Sequence, residues 1–341
     1  MLNENILSFE NLWKSSKKVF RNVRWKGSVT KYEINCLKNC ARMRHTFHTN
    51  TYKISEYREF EIYEPKKRKI ASTMLVDRHI QRSICDNYLY NELTKHFIYD
   101  NCACQIGKGT DFAINRLKHH LQKYYRKHKN EGWYLKCDVH HFFESIDHNV
   151  AKKIIDKLIK DKSVVSYVNS VIDSFGDAGI GLGSQISQLI ALSYLNEMDH
   201  IIKEKFQIKY YVRYMDDFIL IDADKSKLKQ CRDYIESYLN SIGLTLNKKT
   251  MIQRIKFGIV FLNWKFSLSE TGKVYLTQIK SKIFAKKRKL RNMIKSNNLN
   301  NNIVDKTFNG MIKHLENGNS YNLITYLNKY YNKLKSSCFN M

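Results

Sequence analysis

An α+β chain built of continuous lobes is predicted by three observations. Between residues 134 and 266 the pattern runs strand, helix, helix, hairpin, helix, strand, which fits a sheet with helices on one face. Linker punctuation is absent: the 341 residues hold one proline, Pro65, with no repeat period and no Gly/Ser tract. From residue 269 onward the composition turns basic and helical. At 43% hydrophobic, the chain can bury one large core or several modest ones.

The elements follow in order. Residues 11–56 are basic and aromatic with mixed helical spacing. In Glu59 to Pro65, Phe60 and Ile62 alternate with acids as in a short strand, and the basic cluster Lys66 to Lys69 follows. Asp77 to Tyr125 is helical, interrupted at Asp100 to Gly109, where Asn101, Gly107 and Gly109 supply turn chemistry. Tyr134 to Val139 is a strand. Asp147 caps a helix carrying Val150 and Ile154, and residues 184–205 form a second, more apolar helix. Tyr210 to Ile221 is aromatic and branched but broken by Asp216 and Asp217, as in a hairpin with acids at its tip. A helix over Ser226 to Asn240 and a strand over Gly258 to Phe266 complete the region. Between Lys273 and Lys335 fourteen Lys or Arg face two acids, with Ile279, Ile283, Leu290 and Ile294 at near-helical spacing. Such a segment is either a lobe that lies along a duplex or an ordinary solvated helix face.

Charge narrows the partners. The 59 Lys and Arg against 32 Asp and Glu leave +27, an excess that concentrates polyanions, nucleic acid foremost. The eight cysteines lack zinc-site spacing; Cys36 with Cys40 and Cys102 with Cys104 have no second pairs. The amino terminus, MLNENILSFE, has no basic n-region, and no apolar run approaches a membrane span. A reduced, cytoplasmic chain with no membrane partner is the expectation.

Chemistry concentrates at Tyr214-Met215-Asp216-Asp217. Two adjacent carboxylates at a hairpin tip repel, and a divalent cation is the natural compensation; a lone Asp-Asp elsewhere is a turn or a helix cap. Asp138, near the end of its strand and before Phe142-Phe143, is the third candidate carboxylate. Magnesium held by few carboxylates keeps positions for substrate phosphates. The glycines of Gly107-Lys108-Gly109 would admit a nucleic-acid strand, although that tripeptide is no phosphate-binding P-loop. Lys66 and Arg68 suit phosphate contact, or are generic basic surface.

These residues resemble the reverse transcriptase family, over about residues 50 to 335. Tyr214 to Asp217 matches its metal motif, and Lys136 to His148 its first palm motif. Gly183-Ser184-Gln185-Ile186-Ser187-Gln188 is similar to Gly-x-x-x-Ser-Pro, with Gln188 in place of proline. Gly243 to Thr250 resembles the lysine-bearing motif. Phe261-Leu262-Asn263 resembles the Phe-Leu-Gly primer grip, with Asn263 a departure. Upstream, Pro65 to Ile70, Asp77-Arg78 and Gly107 to Thr110 look like fingers elements. The resemblance implies a right-hand polymerase: N-terminal extension and fingers over 1–127, palm over 128–149, further fingers over 150–178, palm over 179–268, and a short basic helical thumb over 269–341.

It further implies an RNA-directed DNA polymerase using two Mg2+ ions, with Mn2+ as a substitute. Asp138, Asp216, Asp217 and the Val139 carbonyl would hold metal. Phe143 would discriminate the sugar, or be a core residue beside Phe142. Gly183, Ser187 and Gln188 would shape the template and nucleotide pocket beside Tyr214 and Met215, with Lys66 and Arg68 on the triphosphate. Lys249 could protonate pyrophosphate. RNA template, DNA or RNA primer and dNTPs are the implied partners, with a structured non-coding RNA and an accessory protein left open. Ser187-Gln188 and Tyr-Met-Asp-Asp look most like enzymes of diversity-generating retroelements and the related bacterial antiphage-defence enzymes, with retrons a further branch. Untemplated or protein-primed synthesis, and a non-catalytic RNA-binding scaffold, stay open as alternatives.

Overall fold

Burial at consecutive positions along the central strands sets the architecture. The computed structural model describes residues 5–63, 67–295 and 301–339. Three helices come first, α1 (Phe9–Phe20), α2 (Gly27–Ile34) and α3 (Cys36–His48). Next is an antiparallel hairpin, β1 (Arg58–Ile62) and β2 (Arg68–Ser72). Helix α4 (Leu75–Ile84) continues through a π turn into α5 (Tyr90–Thr94), and α6 (Thr110–His128) follows the loop.

Strand β3 (Trp133–Asp138) leads through a 3-10 turn to α7 (His148–Leu158) and α8 (Lys162–Asp173). Asp147 caps α7 as expected, its Oδ1 accepting the Val150 N–H at 2.9 Å, a contact worth about 1 kcal/mol. The apolar segment 184–205 is two helices, α9 (Gln185–Tyr194) and α10 (Asn196–Glu204). Strands β4 (Tyr210–Tyr214) and β5 (Asp217–Asp222) form the expected hairpin, followed by α11 (Lys225–Ser241) and β6 (Met251–Arg254).

The central sheet has the order β4-β5-β3-β6 with every pair antiparallel. Leu135, Cys137, Tyr211, Phe218 and Leu220 share one core with α7, α9, α10 and α11. Their alternates Tyr134, Val212, Ile219 and Ile221 enter a second core with α6 and another sheet. The expectation of helices on one face is thereby corrected. Apolar side chains at consecutive positions need cover on both sides.

That other sheet also corrects the single strand expected over Gly258 to Phe266. It contains β7 (Ile259–Phe261), β8 (Trp264–Leu268) and β9 (Val274–Gln278) in that order. Leu262 and Asn263 form the β7–β8 turn at φ +46° and +70°. A type I′ two-residue hairpin turn takes positive φ at both positions, and asparagine tolerates it best after glycine. Asn263 therefore meets the backbone demand of the glycine in the motif it resembles. Strand β9 lies within the span expected to be helical.

Three basic helices complete the described chain: α12 (Lys280–Lys295), α13 (Asn301–Leu315) and α14 (Tyr321–Phe339). They enclose their own core of Leu290, Val304, Phe308, Met311, Leu315, Leu327 and Tyr331. The lobe seats on the three-stranded sheet through the Asn319 N–H on the Leu276 carbonyl, 2.8 Å, and His314 against Trp264, ring centroids 5.2 Å apart. No helix among the described residues is long and apolar enough to cross a membrane. The described cysteines are free thiols.

Candidate active site

Antiparallel register brings the acids together. Asp138, the last residue of β3, lies opposite Asp217, the first of β5, and Asp216 precedes it in the turn. The turn needs Met215 at φ +57°, and the Val139 N–H fixes it by donating to the Asp216 carbonyl at 3.2 Å. Alternation along β3 places Lys136 and Asp138 on one face, toward the three-stranded sheet.

The carboxylates differ in environment. Burial pushes the Asp217 carboxyl up to about 7, and the charges of Asp138 and Asp216 add to the shift. Lys136 opposes it, with Nζ 3.5 Å from Asp217 Oδ1 and hydrogen-bonded to the Val260 carbonyl at 2.8 Å. Asp217 Oδ1 is buried and accepts no hydrogen bond. Asp138 is instead held by Asn247, whose Nδ2 donates to Oδ2 at 2.9 Å and whose backbone N–H donates to the Asp138 carbonyl at 2.7 Å.

A hard divalent cation fits this donor set. The donors are all oxygen, and an orphaned carboxylate oxygen with a raised pKa is relieved by cationic charge. Among the described residues, no group of three or more His, Cys, Asp or Glu side chains is arranged to hold a metal ion by itself. A site built on few carboxylates takes its remaining ligands from substrate phosphates. Replacing Asn247 with Ala is expected to lower any metal-dependent turnover at this site about tenfold, because carboxylates whose supporting hydrogen bonds are lost cost about 10- to 100-fold. Single-turnover rates against Mg2+ concentration check it.

The other residues expected from the sequence surround the turn unequally. Phe142 is buried, whereas Phe143 is half-buried, its carbonyl accepting the Ile180 N–H at 2.8 Å. Gly183, at φ +117°, is exposed, and a Cβ there would lie 4.0 Å from the Ile70 side chain, so β2 approaches the start of α9. Arg68 is exposed, two residues from Ile70 on the same strand, so its side chain shares that face. Lys66 lies outside the described residues. Ser187 is buried with its hydroxyl unpartnered, and Gln188, Tyr214 and Met215 are half-buried. Lys249 is exposed, and only its backbone N–H is tied down, to Asn247 Oδ1 at 3.1 Å. The start of α9 and β2 are therefore neighbours, whereas nothing fixes the Lys249 amine beside the acid turn.

Four contributors were missed in the sequence. Period-two alternation along β3 could have singled out Lys136. Gln81, on α4, accepts the Ser184 hydroxyl at 2.8 Å and so steadies the residue that caps α9; nothing local to Gln81 signals this. Asn247 lies within the lysine-bearing motif but drew no role. Arg213, on β4, pairs with Asp199 at 2.5 Å, both fully buried. Removing one partner of such a pair costs about 3–5 kcal/mol, whereas in the sequence both look like surface charges.

Comparison with known proteins gives the family and the fold. The chain is 22% identical over 173 residues to the putative COX1/OXI3 intron 2 protein of Saccharomyces cerevisiae, covering 48% of this chain and 19% of that protein. Its fold is similar to apo telomerase from Candida tropicalis truncated from the C-terminal domain (TM-score 0.50, 14% identity, 69% of this chain and 58% of that one). It is likewise similar to telomerase from Candida albicans in complex with a fragment of telomeric RNA (TM-score 0.52, 12% identity, 84% and 55%). The chain thus spans less than two thirds of each of these proteins. Residues 64–260, more than half of the chain, match the family described as reverse transcriptase (RNA-dependent DNA polymerase), and the chain belongs to it.

Proposed function

We propose that the chain copies an RNA template into complementary DNA, adding dNTPs to a DNA or RNA primer. One observation carries the reading: the register sets Asp138 opposite Asp217, with Asp216 adjoining in a turn anchored to β3. Asp138, Asp216 and Asp217 would hold two Mg2+ ions, or Mn2+ in their place, with the Val139 carbonyl as a further ligand. Bound there, such ions would supply activation of the primer hydroxyl and neutralisation of charge on the phosphates.

The chain's own residues do the rest. Asn247 keeps Asp138 oriented. Gly183, Ser187 and Gln188, with Tyr214 and Met215, shape the nucleotide and template pocket. Arg68 and Lys66 meet the triphosphate, Phe143 excludes the 2′-hydroxyl, and Lys249 protonates pyrophosphate. The sheets and the helices that cover them divide as fingers over 1–127 and 150–178 and palm over 128–149 and 179–268, with a thumb over 269–341 that begins with a strand.

The basic lobe grips the template–primer duplex through phosphates. Lys287 does not share in this: it is buried, with Nζ 2.7 Å from the Tyr326 hydroxyl and 4.1 Å from the Tyr330 ring centroid. Lys282, Arg288 and Lys289 are exposed. Replacing those three with Gln is expected to flatten the salt dependence of RNA binding, at roughly 0.7 to 0.9 of log–log slope per lost phosphate contact. Titrations by fluorescence anisotropy across salt concentrations measure it, and an unchanged slope would take this face off the nucleic acid.

For the biological setting, Ser187-Gln188 with Tyr214-Met215-Asp216-Asp217 favours a diversity-generating retroelement or an antiphage-defence system. The experiment is to supply a defined RNA, a primer, dNTPs and Mg2+ and to sequence the product. Its complement supports the reading. A product of unrelated sequence, or none beyond the primer, rejects it.

A further inference from the structure

The buried Arg213–Asp199 pair does more than join β4 to α10. The Arg213 guanidinium donates from Nε to both Asp199 oxygens, at 2.8 and 3.0 Å, and from Nη2 to Asp199 at 2.5 Å and to the Leu192 carbonyl of α9 at 3.2 Å. Its remaining nitrogen, Nη1, donates to the Met215 carbonyl at 3.1 Å. Tyr211, on the same face of β4, donates its hydroxyl to Asp199 at 2.6 Å. The Arg213 backbone is also clipped to the loop before α6: its N–H reaches the Asp100 carbonyl at 3.0 Å, and its carbonyl accepts from Cys102 at 2.9 Å.

Met215 and Asp216 are the two residues that turn the hairpin. Arg213 holds the carbonyl of the first, and the Val139 N–H holds that of the second. The two peptides that flank the Asp216 Cα, and so present its side chain, are therefore each secured through their carbonyl. A guanidinium fork does this while keeping its carboxylate partner, and a lysine amine cannot span the same set.

We propose that Arg213, oriented by Asp199, is a positioning residue for the acid turn, fixing the Met215–Asp216 peptide and coupling it to α9, which carries Ser187 and Gln188. The proposal rests on the polymerase reading of the same site. Carboxylates held within a fraction of an ångström of their working geometry lose rate steeply when that hold slackens.

Two variants test it. Arg213→Lys keeps the buried charge and loses the fork. A triple variant, Asp199→Leu with Tyr211→Phe and Arg213→Met, replaces the network by apolar groups, which often restores the stability that a broken pair loses. Single-nucleotide incorporation on a primed RNA, Mn2+ affinity by electron paramagnetic resonance without nucleic acid, and melting temperature are measured for each. Arg213→Lys is expected to lower kcat about 100-fold per folded molecule and to weaken Mn2+ binding, with the KM for dNTP and RNA affinity within about twofold. The triple variant should regain melting temperature and stay slow. Recovery of kcat with melting temperature in the triple variant would show a merely structural pair and overturn the proposal. If the triple variant does not fold, wild-type kcat per folded molecule and unchanged Mn2+ affinity in Arg213→Lys overturn it alone. Failure of the polymerase reading is distinct: the wild-type chain would be inactive, or Asp216→Asn fully active, before Arg213 is altered.

Discussion

Asp216→Asn is expected to lower nucleotide incorporation about a thousandfold or more while RNA affinity stays within about twofold of the wild type. The separation follows from where the two functions reside. Asp216 sits in the β4–β5 turn beside Asp217, opposite Asp138, whereas the cations proposed to bind phosphate lie on exposed faces such as α12. The substitution is nearly isosteric and leaves both carbonyl anchors of the turn in place, so folding should be little affected. Neutralising one carboxylate also removes a repulsion that helps to raise the Asp217 carboxyl. Rapid-quench incorporation, anisotropy with labelled RNA and a thermal melt together measure the three quantities. Wild-type incorporation by the variant would dismiss Asp216 as a metal ligand.

Phe143→Ala carries the second large effect, on the choice of sugar. His141 adopts φ +46° and turns the chain into the 3-10 segment Phe142–Ser145. That turn sends Phe142 into the core and leaves Phe143 half-buried at its edge. A phenyl ring offers a 2′-hydroxyl no hydrogen bond, so a ribonucleotide meets both a clash and an unsatisfied polar atom. Truncation should raise ribonucleotide use relative to deoxynucleotide use by about 10- to 100-fold in kcat/KM. The main-chain bond from Ile180 to the Phe143 carbonyl survives truncation, whereas the ring's edge-on contact with Phe142, centroids 5.5 Å apart, is lost, so a modest fall in melting temperature should accompany the change. Competing incorporation of the two nucleotides measures the ratio. Parallel loss of both activities with a clear fall in melting temperature would make Phe143 a packing residue.

The sequence displayed what short-range chemistry controls. Asp147 capped its helix, the aromatic run broken by Asp216 and Asp217 folded as a hairpin, and the basic tail gathered into helices, because each rests on neighbours a few residues away. The Gly258 to Phe266 segment misled because its turn uses Leu262 and Asn263 without a glycine. Strand β6 went unseen because Met251–Arg254 is short and exists by pairing with β3. Lys287 resembles its surface neighbours in every local respect, and only Tyr326 and Tyr330, some forty residues on, draw it inward. The candidate site divided similarly. Its acids stood out as an unusual cluster of like charge, whereas Arg213, Asp199, Asn247 and Gln81 act through partners that only the fold brings near.

The two-sided burial of β3 bears on which changes of chain length this protein tolerates. A residue inserted within β3 would exchange the faces of everything beyond it, turning Asp138 and Lys136 toward the apolar helices and Cys137 toward the second sheet. No loop adjustment could repair that, because both faces are packed. Insertions at the exposed residues 176–178 displace no buried side chain. Libraries that vary loop length can therefore be placed there, while the spacing from Trp133 to Asp138 stays fixed as a ruler for the acids.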